Sequence, residues 1–216
     1  GIKKEIIRYG IIKPKINKKK ILKKFFKKFP ILKNKVFYLF LGRFHEKKGC
    51  EIIIESVKKL KNNFKDIILF SGPMSGSKYE AKLINLVEKY NLRKKIIFTN
   101  ALYGDLKWGA IQASKAMVLS SHGENFGVSL VESLSFGKPV LTTHKVGISN
   151  EISKFKAGLI AKDETNSFSN ILKKFNNLNK NNLRKLSNNS YKCFKKNFDI
   201  SINKNSLSNL LKKNFS

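Results

Sequence analysis

Acidic residues are scarce in this chain. Only 14 Asp and Glu stand against 45 Lys and Arg, a formal net charge of +31 over 216 residues. Cysteine is almost absent: Cys50 and Cys193 lie far apart and make no CxxC pair. That excludes a disulfide framework and a cysteine-built zinc site, and leaves both as packing residues. No apolar run reaches the roughly 18 residues of a membrane-spanning helix, and no signal-peptide pattern opens the chain, so a soluble, cytoplasmic protein is expected. No internal repeat is visible. The stretch GPMSG at 72–76 is neither a P-loop nor a GxGxxG fingerprint, which removes the usual signatures of ATP hydrolysis and NAD binding. The chain begins with Gly1, and GIKKEIIRYGIIKP reads as the tail of an earlier segment; a piece of a longer protein is expected.

A charge of this size raises nucleic acid or an anionic membrane as a partner. The excess is mostly lysine, is spread along the chain and accompanies many Asn and Ile. These three residues share A/T-rich codons, so composition explains the charge without a ligand. No DNA- or RNA-binding motif accompanies it, and no nucleic-acid partner is expected.

What the chain does contain is a regular alternation. The apolar runs at 36–41, 66–70, 95–98, 116–120, 138–142 and 157–161 are short, continuous and bounded by turn residues, as strands buried on both faces are. Helical patterns lie between them, at 49–60, 78–90, 105–113, 128–136 and near 150–155. The expected fold is therefore α/β, a doubly wound, parallel, six-stranded Rossmann-like sheet with helices on both faces. Three amphipathic helices follow, near 167–175, 183–194 and 206–213. The organisation expected is an incoming segment with a basic helix (1–34), a Rossmann-like, ligand-binding domain (35–162) and helices completing it (163–216). Residues 15–29 set Ile21, Leu22, Phe25, Phe26 and Phe29 on one helical face with lysines opposite. That pattern suits first a surface helix covering the sheet edge, the ordinary role of an amphipathic helix, and second one lying on an anionic membrane at its inner face.

In a sheet of order 3-2-1-4-5-6, ligands sit beyond the carboxyl ends of strands 1 and 4. The rule selects the loops 42–49 (GRFHEKKG) and 121–127 (SHGENFG). The first offers the forked guanidinium of Arg43 and the ammonium of Lys48 between Gly42 and Gly49, a set suited to a diphosphate. The second runs into a helix starting near Gly127, whose free N–H groups at Gly127, Val128 and Ser129 favour an anion. Glu124, in that loop, and Glu132, one turn beyond Val128, are poor phosphate ligands but good hydroxyl acceptors: a hexose for Glu124 and a ribose for Glu132. The ligand implied is a nucleoside diphosphate sugar.

GRFHEKKG followed by SSHGENFGVSLVESLSFGKPVLTT resembles the GR-x4-KG and E-x7-E signatures of the retaining group 1 (family four) glycosyltransferases of GT-B fold, over roughly residues 35–160. GDLKWGA at 104–110 is similar to one branch of that family. The resemblance implies the C-terminal, donor-binding half of such an enzyme, a hexosyltransferase whose N-terminal, acceptor-binding domain is missing here. It implies that Arg43 and Lys48 hold the diphosphate and stabilise the leaving group, that Glu132 binds ribose and Glu124 the donor sugar, and that the backbone of Asn125, Phe126, Gly127 and Val128 holds sugar and phosphate. Residues 100–103 would lie along the base. These assignments make Glu124, Arg43 and Lys48 the catalytic set. The donor would be a UDP-, GDP- or ADP-sugar, the acceptor a glycan or lipid-linked molecule in polysaccharide assembly, and the configuration retained. No cofactor or metal is expected, since Arg43, Lys48 and the helix end supply the positive charge and no DxD-like pair lies nearby. Alone, the chain should bind donor yet turn over little.

Other readings remain. His45, His122 and His144 follow strands, but without visible supporting groups they make a weak metal or catalytic triad. Trp108 fits a core or interface role better than a sugar platform. A non-catalytic nucleotide-sugar-binding or scaffold half is the main rival, and a basic nucleic-acid module the lesser one, whose affinity would fall steeply with salt.

Overall fold

A computed structural model describes residues 9–201. Six parallel strands form one sheet in the order 3-2-1-4-5-6. They are β1 (Phe37–Leu41), β2 (Ile67–Ser71), β3 (Ile96–Thr99), β4 (Ala116–Leu119), β5 (Val140–Thr143) and β6 (Gly158–Ala161). Aromatic and β-branched residues fill the central strands, and Phe37 to Phe40, Ile68 to Phe70 and Ala116 to Val118 are all fully or almost fully buried. Strands buried on both faces need no polar alternation, which is why they stand out in the sequence as continuous runs.

Among the described residues, eight α-helices cover the sheet: α1 (Lys18–Lys28), α2 (Cys50–Leu60), α3 (Lys78–Lys89), α4 (Gly104–Ala113), α5 (Val128–Ser135), α6 (Ser149–Phe155), α7 (Thr165–Asn176) and α8 (Lys180–Asn197). α2 packs on α3 and α7, α1 on α4, and α8 on α5 and α6. The expected elements are met within one to three residues at their ends. α8 is longer than its apolar period at 183–194, because Asn179 caps it by accepting a hydrogen bond from the Asn182 N–H and its polar ends carry no hydrophobic signal. The helix expected near 206–213 lies outside the described residues. The chain's entry and exit run side by side: Ile11 N–H donates to the Phe198 carbonyl at 2.9 Å.

The basic amphipathic stretch folds as α1, started by Asn17, whose side chain accepts from the Lys20 N–H. Ile21 and Phe25 are buried, Leu22, Phe26 and Phe29 are half-buried, and the lysines face out. The apolar face packs on α4 at Gly109, where a β-carbon would stand 2.6 Å from the Ile21 carbonyl oxygen and 2.7 Å from the Phe25 Cβ. Only a glycine allows these two helices to approach so closely. Gly→Ala inside a helix ordinarily stabilises by about 1 kcal/mol, but here the added methyl meets backbone. Gly109→Ala is therefore expected to destabilise the protein by about 1–3 kcal/mol, read as a lower denaturant midpoint; a raised midpoint would show that α1 does not sit on α4.

Candidate active site

The site is built where the connections after β1 and β4 diverge. Gly42 to Gly49 leaves β1, passes a 3-10 turn at Glu46–Lys48 and enters α2 through Gly49. Phe44 anchors this loop: its ring packs on Phe40 (6.1 Å) and edge-on to Phe98 (5.8 Å), and Phe70 continues the aromatic layer beneath. Arg43, between Gly42 and this anchor, is exposed. Gly49 has φ +58°, and a β-carbon there would lie 2.4 Å from the Ser120 carbonyl oxygen.

The loop after β4 is fastened directly to the first. Ser120 Oγ donates to the Gly49 carbonyl (2.6 Å), Ser121 Oγ to the Lys47 carbonyl (2.6 Å), and the His122 N–H to the same Lys47 oxygen (2.8 Å). Both serines are fully buried. A third loop, after β5, clamps the far side: Glu124 N–H donates to the Lys145 carbonyl (3.1 Å), and Gly147 N–H returns to the Glu124 carbonyl (2.8 Å). At Gly147 a β-carbon would fall 2.1 Å from the Asn125 carbonyl oxygen. Gly127, at φ +72°, turns the chain into α5, and no side chain caps that helix.

A cavity of about 430 Å³ opens between these loops, and Gly42, Arg43, Lys48, Glu124, Gly127, Val128, Ser129 and Glu132 all line it. The two basic residues and the two carboxylates proposed from the sequence thus share one crevice at the carboxyl ends of β1 and β4. Asn125 lines an adjoining cavity of about 350 Å³, together with Arg43, His45, Lys48 and Glu124. The Phe126 ring lies in neither; it sits edge-on to Tyr9 and Phe198 and ties the loop to the chain's entry and exit. Ala101, Leu102 and Tyr103 line the wall beyond Glu132. Asn100 is not among the residues lining it; its carboxamide oxygen accepts from the N–H groups of Met74 and Ala101.

Charge in the crevice is largely paired. Lys48 forms an ion pair with Glu124, and Lys107 Nζ lies 2.6 Å from Glu132 Oε1, all four side chains being partly buried. Among the described residues nothing hydrogen-bonds the Arg43 guanidinium. Three cations and two carboxylates line the main cavity, so with the open end of α5 the crevice favours an anion.

Lys107, Gly147, Phe44 and the serines were not singled out from the sequence. For Lys107 the available signal was its place in GDLKWGA; for the others only the fold reveals the partner. The loop 72–76 is unsuited to phosphate for a structural reason, since Glu80 accepts hydrogen bonds from the N–H groups of Ser75 and Gly76. Gly72, at its start, lets the ends of β1 and β2 nearly touch, a β-carbon there falling 2.1 Å from the Gly42 carbonyl oxygen. Cys50 adjoins the site, but burial pushes its thiol pKa well up, as does the neighbouring Glu51 carboxylate, so it stays protonated and is no nucleophile. Of the histidines, His45 lines the adjoining cavity. His122 Nδ1 meets Asp163 Oδ2 at 3.1 Å, with His144 Nε2 3.9 Å from the same carboxylate; the His122 hydrogen bond holds the Asp163 carboxyl below its ordinary range. Trp108 stacks on Phe136 at 5.6 Å.

A parallel, doubly wound domain with a cationic crevice at its switch point defines the class of Rossmann-like ligand-binding domains. Within it the chain belongs to the glycosyl transferases group 1, whose family model matches residues 22–193. An uncharacterised glycosyltransferase of Methanocaldococcus jannaschii is 29% identical over 163 residues, 75% of this chain and 44% of the relative. A probable sucrose-phosphate synthase of Thermosipho melanesiensis is 30% identical over 154 residues, 70% and 35% of the two chains. Among solved structures, a glycosyltransferase from Rickettsia africae superposes with a TM-score of 0.80 at 18% identity, covering 92% of this chain and 52% of the other. Anabaena Alr3699/HepE in complex with UDP-glucose gives 0.75 at 17%, covering 90% and 53%. The chain thus spans about half the length of these solved structures and less than half of these two relatives.

The Gly147 contact yields a test of how the loop is held. Gly147→Ala is expected to displace the 123–127 loop, shifting the amide resonances of Glu124 and Asn125 while those of β2 and β3 stay in place; unmoved loop resonances would show that the two loops are not in contact.

Proposed function

We propose that this chain is the donor-binding half of a retaining hexosyltransferase that moves a sugar from a nucleoside diphosphate to a glycan or lipid-linked acceptor. One observation carries the reading: Arg43 and Lys48 line the same crevice as Glu124 and Glu132. Arg43 and Lys48 take the diphosphate, aided by the N–H groups opening α5. Glu132 accepts hydrogen bonds from the ribose hydroxyls and Glu124 from the donor sugar, with the backbone of Asn125 to Val128 between them. A UDP-sugar is a natural first donor to try, because the similar Anabaena structures hold UDP and UDP-glucose.

Breaking the glycosyl–phosphate bond leaves positive charge on the sugar and negative charge on the departing diphosphate. Fixed cationic donors aimed at that anion are each worth on the order of 3 kcal/mol in comparable sites, and Arg43, Lys48 and the α5 end supply them without a metal. Front-face attack, with the leaving phosphate taking the acceptor hydroxyl's proton, gives retention. A second domain completes the acceptor side and closes the cleft against water. The outward lysines of α1 suit contact with anionic lipid beside such an acceptor.

Calorimetric titration with UDP-, GDP- and ADP-sugars tests the reading. One of them should bind with or without EDTA, and Lys48→Ala or Glu132→Ala should each weaken it at least about tenfold, the scale of one lost charge-assisted hydrogen bond. Equal affinity in both variants would reject the site, and binding that needs a divalent cation would reject the metal-free mechanism.

A further inference from the structure

The proposed ribose contact has a partner that the donor-site motifs do not include. Glu132 is one of the least exposed charged groups in the crevice, with 13% of its side chain accessible, and its Oε1 is held by Lys107 Nζ at 2.6 Å. Lys107 is not a loosely placed surface lysine. Its ammonium also lies 4.0 Å from the centroid of the Trp108 indole, an attraction that strengthens as the cation is desolvated. That indole is in turn stacked on Phe136, the residue closing α5, at 5.6 Å and 15°. The ammonium is thus caught between a carboxylate from α5 and an aromatic face that is itself packed on the end of α5. Through it α4 and α5 are joined across the crevice wall.

We infer that Lys107 is a positioning residue that makes the crevice selective for ribose over deoxyribose, by fixing the orientation of the Glu132 carboxylate. The inference rests on the proposed placement of ribose at Glu132. A glutamate on a helix turns freely about three side-chain bonds, and a vicinal diol needs two acceptors in a set direction. The hydrogen bond from Lys107 to Oε1 restrains the carboxylate, and Oε2 has no protein donor among the described residues. Each carboxylate oxygen has two acceptor sites, so Oε1 also keeps one for a hydroxyl. A site built this way penalises a ligand lacking one hydroxyl, because a partly buried acceptor is then left unpaired. Without Lys107 the carboxylate relaxes toward water, and the missing hydroxyl costs little.

The experiment compares ribo- and 2′-deoxyribonucleoside diphosphates, taking UDP, GDP or ADP, whichever binds best, and its deoxy counterpart. In the unaltered protein the deoxy form should bind at least about tenfold more weakly. In Lys107→Met that ratio should fall to within about twofold of unity. The ratio separates positioning from simple charge, since loss of a cation near the diphosphate weakens both ligands alike and leaves their ratio untouched. Melting temperatures establish that the variants fold; Lys107→Gln, with the same collapse of the ratio expected, replaces Lys107→Met if that one does not. An unchanged ratio in the folded Met or Gln variant overturns the role of Lys107. Failure of the unaltered protein to distinguish the two sugars overturns instead the ribose reading of Glu132 on which the inference stands.

Discussion

The crevice depends on one constraint: the carbonyl groups at the end of the first loop find their donors on the loop after β4. The oxygens of Lys47 and Gly49 point toward the carboxyl end of β4, where Ser120, Ser121 and the His122 N–H supply hydrogen bonds. Buried backbone acceptors left unpaired would cost about 1–3 kcal/mol each, so the two loops are locked in register. Lys48, Glu124 and the start of α5 take their places from that joint. Lys48 directly follows Lys47 and directly precedes Gly49; Glu124 follows Ser121 by three residues, and α5 begins four residues after Glu124. The strand order alone brings the loops near one another, and the serines fix where their side chains arrive. Gly147 then completes the clamp from β5 by leaving room for the Asn125 carbonyl.

Much of this was legible in the sequence, and for physical reasons. Doubly buried strands advertise themselves as apolar runs, and parallel topology follows from the intervening helices, so the switch point and its two loops could be located before any side chain was placed. Arg43, Lys48, Glu124 and Glu132 stood out because they sit in those loops or one helical turn beyond. The pairing within the crevice was not legible. Lys107 is separated from Glu132 by a whole strand, and one lysine among so many carries no signal until α4 and α5 are set side by side. The same holds for Gly109: a glycine in mid-helix marks a close approach or nothing, and only the position of α1 decides. The α1 stretch itself carried two readings because its pattern is the same for a packed helix and a membrane-surface one; burial of Ile21 and Phe25 against α4 accounts for the apolar face and leaves the lysine face to interact with something else or with water alone.

The strong positive charge proves less informative than the few acidic residues. Lysines on a Lys-rich surface are mostly solvated, and exposed pairs such as Arg93 with Glu88 are worth little. Within the crevice the balance is different, because two of the scarce carboxylates each meet a lysine in a partly buried setting. Pairing of this kind contributes little to stability, since desolvation offsets much of the attraction. Its consequence is geometric: the carboxylates are held in place before any ligand arrives.

That geometry gives the two pairs unlike fates on the proposed reading. The Lys107–Glu132 pair lies against an indole, and with ribose at Glu132 it would persist when a donor binds. Lys48 and Glu124 are paired with each other in the crevice, and a diphosphate bound as proposed would compete with Glu124 for the Lys48 ammonium. Arg43, unengaged among the described residues, and the open end of α5 meet the anion without first giving up a partner, and so supply the initial attraction. As Lys48 turns to phosphate, Glu124 is left without its cation beside the position of the donor sugar, where hydroxyl groups are the available donors. On that reading, capture of the diphosphate and grip on the sugar would be coupled through a single exchanged ion pair, one residue from the joint that fastens the two loops.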